Sequence, residues 1–330
     1  MANENSNDQA DGFPVEQCDV EDKTNLIAFR EKQKEWRHWL SGDPDHSILN
    51  QIWAMLWNNA VFRVVNESWR IAEEEGGLWA SRNAPLAEFI DQGFIATQAL
   101  YVRRLLESGK TDPRKQVISL RRLLDDVEKN GHLITREVYL SQDGLPFDPE
   151  PVKAGHIENA LKRNENGVHV EWVQVKGPKD WDASERNHET FDMLSVVSAD
   201  ARHRSDKISS ECFSKLRKTL DDSGADKIIG VANKLIAHAA DETSREKLDE
   251  RRGFSFDELD QCHHAIIAVT NCIGSTILQA DHVGSLPHPQ FDWSEGLDCN
   301  WIPPRGLLDL HRVWDEYEAT VDRYCRDDAL

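Results

Sequence analysis

The chain has 330 residues, enough for one large domain or two ordinary ones with a real hydrophobic core. Its apolar fraction is a modest 39%, partly offset by 11 Trp, each of which can bury a large area. A net charge of -20 repels phosphate backbones at long range and argues against a protein that coats nucleic acid over its whole surface.

The first 24 residues are polar and acidic, and their composition predicts a mobile tail ahead of one composite α-helical domain over 25–330. Residues 25–40 read as a helix stopped by the breaker "SGDPD". In 47–75, Ile48, Ile52, Leu56, Val61, Val65 and Trp69 keep helical spacing, and Trp53 and Trp57 widen the stripe, so a long central helix is expected. A third helix is predicted over 85–108, with Pro85 near its first turn, and a fourth over 116–129, with Val117, Leu120, Leu123, Leu124 and Val127 on one face.

The pattern then breaks. Residues 132–186 are read as an irregular insert, rich in turn signals over 141–155, with a short strand at "GVHVEWVQV" (167–175). Helical signal resumes near Asn187 and continues through 209–222, 225–241 and 255–280, and after an irregular connection a last helix runs over 307–326. The fold class is therefore all-α, a multi-helix bundle with an irregular, short-stranded middle.

Six cysteines are scattered without CxxC spacing, the N-terminus carries no signal-like apolar stretch, and no apolar run reaches membrane-spanning length. A cytoplasmic protein with free thiols, outside the membrane, is the expectation. Cys262, His263 and His264 are adjacent, so on a helix their side chains diverge and do not form a metal set; no metal and no cofactor is expected. Asp125 and Asp126 read as neighbours facing water, and the pairs Trp36/Trp39 and Trp53/Trp57 as packing rather than base-stacking.

Against the overall negative charge, residues 101–122 carry Arg103, Arg104, Lys110, Arg114, Lys115, Arg121 and Arg122 with only Glu107 and Asp112. This segment is either a charge-balanced helical hairpin paired with acidic neighbours or a local guide for a phosphate backbone.

One further stretch could carry chemistry: "VANKLIAHAADETSR", 231–245. On an ideal helix Val231, Lys234, His238, Asp241 and Arg245 form one stripe, with Asn233 about 140° from His238. Two readings stand. The stripe is a solvated, salt-bridged face, or His238 is a titratable group oriented by Asp241, with Lys234 or Arg245 holding an anion.

"ANKLIAHAAD" (232–241) resembles the motif of the HEPN family of α-helical domains, in particular the branch linked to bacterial abortive infection, where a segment of the type Arg-Asn-Lys-x-x-Ala-His is typical. "VISLRRLLDDVEKNGHLITREVYLSQDGLPFD" (117–148) resembles that branch as well. The likeness covers these two blocks and the order of helices between them, not the N-terminal tail, the 167–175 segment or the last helix.

The resemblance implies a HEPN-like bundle acting as a homodimer in a bacterial defence or toxin-type system. Catalytic members are metal-independent ribonucleases in which the ribose 2′-hydroxyl attacks the adjacent phosphate. The motif His aids proton transfer or positions the RNA, and the motif Arg stabilises phosphate charge. In-line attack needs such a proton acceptor and cation at one phosphate.

Carried over by position, Asn233 and His238 match, Lys234 follows, and the Arg position is Ala232. An alanine cannot stabilise a developing phosphate charge. Arg202, Arg204 and Arg245 are candidates to substitute, with Arg103, Arg104, Arg121 and Arg122 as guides for the backbone. Two functions follow as expectations: an RNA-cleaving HEPN-like protein, or a non-catalytic helical module that binds a protein such as an antitoxin, a nucleotide or RNA.

Overall fold

The structure, a computed structural model, describes residues 13–74, 84–163, 180–236, 253–286, 290, 292, 294–297 and 306–326. Among the described residues there are eleven α-helices and no strand; the sole β-type pairing is an isolated bridge between Thr135 and Lys207. The all-α class expected from periodicity is the fold observed, while the strand expected at 167–175 lies outside the described residues. By contact the chain divides into two compact units, Met1–Arg63 with Ser81–Ser285, and Val64–Ala80 with Leu286–Leu330.

In the first unit, α1 (Lys23–Arg37) begins where the Asp22 carboxylate accepts from the Asn25 backbone N–H at 2.9 Å, satisfying one of the unpaired donors of a helix start. Leu26, Phe29, Gln33 and Trp36 are its buried face, and a wide π-turn (His38–Gly42) then buries Trp39 and Leu40. The breaker is built by Asp43, whose carboxylate accepts from the N–H groups of Asp45 and His46.

The long helix α2 (Ile48–Glu74) buries Ile48, Leu49, Gln51, Ile52, Met55 and Asn59 and nothing beyond. Its central position therefore holds for the first three turns only; Trp53, Val61 and Ile71 are exposed. Of the two Trp pairs read as packing, Trp36/Trp39 is core and Trp53/Trp57 is not.

Helix α3 (Ala84–Leu105) carries Pro85 in its first turn, where a missing N–H breaks no helical bond. Helix α4 (Leu120–Lys129) starts four residues later than periodicity predicts because Ser119 is the cap, its hydroxyl accepting from the Arg122 N–H at 3.2 Å while its own backbone is extended. Leu120, Leu123, Leu124 and Val127 form the expected apolar face.

The stretch expected to be irregular holds two helices and the start of a third: α5 (Arg136–Ser141), α6 (Glu150–Arg163) and α7 (Trp181–Ser195). All six residues of α5 are buried, Arg136, Glu137 and Ser141 included, so its polar residues do not mark a solvent face. Helix α6 follows a Pro-rich turn, with Pro151 tolerated in its first turn. Helix α7 starts at Trp181 rather than near Asn187 because buried Asp180 caps it, accepting from the Ala183 N–H at 2.9 Å.

The chain continues through α8 (Ser210–Asp221), α9 (Ala225–Val231) with a following π-turn (Ala232–Ile236), and α10 (Phe256–Asn271), which opens with a Ser255/Glu258 capping box and ends in a π-turn (Cys272–Ile277). Helix α9 and its π-turn pack on α3; α8 packs on α4, α9 and α10; α7 packs on α5 and α6. One hydrophobic core, from Cys18 and Val20 to Val283, joins these elements apart from α6. The second unit comprises the distal part of α2, where Arg70 pairs with Glu67 and Glu74, and α11 (Leu307–Arg326).

The described part of the expected tail, from Phe13, is seated rather than mobile. Cys18 and Val20 are buried, and Arg30 holds the segment by donating to the carbonyls of Phe13 at 2.6 Å and Gln142 at 2.5 Å. The Phe13 ring rests directly on Gly144, whose φ of 81° lies in the left-handed region. Acidic composition hid a few apolar anchors. Gly144→Ala is expected to lower stability by about 1–3 kcal/mol, from the positive φ and the clash with the ring. Chemical denaturation of that variant beside Gly144→Ala with Phe13→Ala checks this, since the double variant should recover the part of the loss due to the ring.

Candidate functional site

The motif stretch leaves α9 at Val231 and enters the π-turn Ala232–Ile236. In a π-turn the bonds run from i to i+5, so residues no longer advance 100° each, and the ideal stripe through Val231 and Lys234 does not carry over. Such turns often mark functional sites, but two more occur in this chain, at His38–Gly42 and Cys272–Ile277, so the geometry alone does not single this one out.

Ala232 has no solvent exposure and belongs to the core, whereas Asn233 and Lys234 are half-buried. An arginine side chain at 232 would have to enter that core and bring an unpaired charge with it. His238, Asp241 and Arg245 lie outside the described residues.

The candidate cations are distributed over the fold. Arg121 on α4 pairs with Asp221 of α8 at 2.8 Å. Arg122 lies over the Trp39 ring at 3.9 Å and donates to the Val117 carbonyl at 2.7 Å. Arg202 donates to both oxygens of Asp192, the shortest contact being 2.6 Å. Arg204 pairs with Asp19 at 2.9 Å, reaches Glu137 at 3.5 Å and covers the Phe147 ring. Arg103 and Arg104, near the C-terminal end of α3, form no ion pair with a described residue; Arg104 is exposed and Arg103 half-buried. Within the same basic segment Lys110 pairs with Glu107 and Arg114 with Asp112, so much of its charge is met locally.

A polar site that sequence reasoning missed is built on Arg136. This side chain is completely buried at the start of α5. Its Nε donates to Asp206 at 2.8 Å, Nη1 to Asp192 at 2.7 Å and to the His188 carbonyl at 3.4 Å, and Nη2 to the Ser195 hydroxyl at 3.2 Å. The guanidinium also lies over the Phe191 ring at 4.9 Å. Burial works against ionisation of Asp192, but hydrogen bonds from Arg202 and Arg136 outweigh it and hold the carboxyl below its ordinary range.

His188, beside it, donates from Nε2 to the Phe147 carbonyl at 2.7 Å, and its buried Nδ1 has no partner among the described residues. Burial lowers its pKa, and the nearby Arg202 and Arg136 add to that. The only sequence signal for this network was an arginine directly after a capping Thr135 in an apolar run.

Two smaller clusters complete the survey. Interaction between the Cys212 thiol on α8 and the Cys272 thiol in the last π-turn pushes Cys212 down to about 7 while Cys272 is raised. A cleft of about 130 Å³ is lined by Phe62, Phe94, Ile95, Phe254, Phe256 and Leu259, with Asp91 and Ser255 as polar members. It is far below the roughly 300–1,000 Å³ of ordinary small-molecule pockets.

Beside the cleft, Arg63 covers Phe256 and pairs with Asp260 at 2.7 Å, and buried His263 meets the Gln98 side chain at 3.2 Å. The residues adjacent in sequence diverge as expected: Cys262 is core and His264 exposed. Asp125 pairs with Arg217, but Asp126 does not face water; it accepts from Trp36 at 2.8 Å and Lys32 at 2.9 Å, because α4 packs that edge against α1. Among the described residues no group of three or more His, Cys, Asp or Glu side chains converges as a metal-ligand set, and no helix is long and apolar enough to cross a membrane.

With this geometry in hand, comparison with family models, with curated proteins and with solved structures finds no match.

Two outcomes follow from the buried polar groups. Arg136→Met strips Asp206 and one Asp192 oxygen of their cation inside the fold and is expected to cost about 3–5 kcal/mol, read from the urea midpoint. Burial pushes His263 down to about 4, from an ordinary 6.5. Between those values the unfolded chain binds the proton and the folded protein does not, so stability falls as pH drops from 6.5 to 4, by about 3 kcal/mol. In His263→Gln that part of the pH dependence should vanish, which parallel denaturation curves at pH 7 and pH 4.5 would reveal.

Proposed function

We propose that this chain is a HEPN-like helical binding module of a bacterial defence or toxin-type system, engaging a basic protein partner rather than cleaving RNA. The observation that carries the reading is Ala232. At the position where the resembling motif has its phosphate-stabilising Arg, this chain has a core alanine with no exposure. Two of the candidate substitutes, Arg202 and Arg204, and two of the candidate backbone guides, Arg121 and Arg122, are held by carboxylates, a carbonyl or an aromatic ring of the chain itself. A net charge of -20 favours a partner of opposite sign.

A ribonuclease reading retains one supporting observation. Arg103 and Arg104 lie on α3, the helix on which α9 and the motif turn pack, and neither forms an ion pair with a described residue. They are cations on an element adjoining Asn233 and Lys234.

Purified protein incubated with cellular RNA in EDTA separates the two. The binding-module reading expects no fragments from either wild type or His238→Ala. Fragments ending in cyclic phosphate from the wild type, lost in His238→Ala and reduced in Arg103→Ala with Arg104→Ala, would establish the ribonuclease instead.

A further inference from the structure

Helix α11 (Leu307–Arg326) presents apolar side chains to solvent along most of its length. Leu307, Leu310, Trp314, Tyr317 and Val321 are 53, 53, 75, 69 and 38% exposed. Their spacing is 3, 4, 3, 4, the a/d seam of a heptad, and the neighbouring Leu308 and Val313 are exposed as well. Isolated exposed apolar residues are ordinary, but a continuous stripe on one helix is the mark of a contact surface. Leu308 falls at b, outside the seam; the other six residues offer on the order of 600 Å² of surface, somewhat below one partner's share of a standard interface.

We propose that this stripe is the seam of an antiparallel two-stranded coiled coil formed with a second copy of the chain. The sequence of α11 is complementary to itself in that orientation. With the helices antiparallel, a residues meet d residues, so Trp314 lies against Tyr317 of the second copy and Leu310 against Val321. Large faces large and medium faces medium.

The flanking e positions then bring His311 opposite Glu318 of the second copy, twice by symmetry, and the g positions bring Val313 opposite Thr320. A parallel pairing in register would stack Trp314 on Trp314 and set Val313 beside the Glu318 carboxylate. The polar face carries Asp309, Arg312, Asp315, Glu316 and Arg323, with Arg312 already bonded within the helix to Asp309. That face stays in water in either arrangement. The inference rests on α11 alone and does not depend on the functional reading above.

Sedimentation equilibrium of the full chain over a wide concentration range tests it. The wild type is expected to be a dimer, and Leu310→Asp with Trp314→Asp to be a monomer, the dissociation constant rising about 100-fold or more. Both side chains are exposed in the single chain, so the variant should still fold and keep most of its far-UV dichroism.

A charge exchange tests the orientation. His311→Glu sets like charges together and weakens the dimer, and adding Glu318→Lys restores it. A wild type that stays monomeric at the highest concentration, or a Leu310/Trp314 variant that dimerises as well as the wild type, overturns the proposal. Failure of Glu318→Lys to rescue His311→Glu overturns the antiparallel register.

Discussion

A single positive charge with no access to water organises the first unit. Moving a guanidinium out of solvent costs several kcal/mol unless its donors are met, and Arg136 meets them with groups from the middle and end of α7 and from the loop that follows it. The same demand fixes how α5 lies on α7, since both Asp192 and Ser195 must face one planar cation. Glu137, the next residue, extends the arrangement in the other direction. Its carboxylate accepts from the N–H groups of Glu21 and Asp22 and is reached by Arg204, so one buried dipeptide fastens both the 199–209 loop and the segment before α1.

This dependence explains which parts of the fold are visible in the residue order. Helices α1, α3, α4, α8 and α10 are legible because each combines an apolar face at helical spacing with a local start signal; Ser255 with Glu258 shows this most plainly. Helix α5 is not, because its polar residues, Arg136, Glu137 and Ser141, are buried along with its apolar ones and point to no solvent face. The π-turns are invisible for a different reason: "ANKLI" and "CIGSTI" read as continuing helix, and only packing decides that their bonds widen.

The site divides in the same way. Asn233, Lys234 and the alanine between α9 and its turn can be located from a short motif. Whether Arg202 or Arg204 is available to a ligand cannot, because the carboxylates that hold them, Asp192 and Asp19, come from elsewhere in the chain. In the residue order Arg136 is one more polar residue beside a turn; its partners, 56 and 70 positions away, make it a hub. Acidic residues outnumber basic ones 59 to 39, and many of the basic side chains are used internally. Among the described residues, charge left unpaired is therefore weighted toward carboxylates, and exposed apolar side chains line up most densely on α11.

The seating of the N-terminal segment has a consequence for how the protein is made. Phe13 and Cys18 are made well before Gly144 and Gln142, which they meet, and the neighbouring Asp19 and Glu21 wait for Arg204 and Glu137. Gln142 follows Cys18 by 124 positions, and that length must be synthesised before the contact can form. At ordinary elongation rates of about 5–20 residues per second, the leading segment waits on the order of ten seconds or more in an open state. During that interval it is a free, partly apolar strand beside an unfinished bundle, within reach of chaperones and of neighbouring nascent chains.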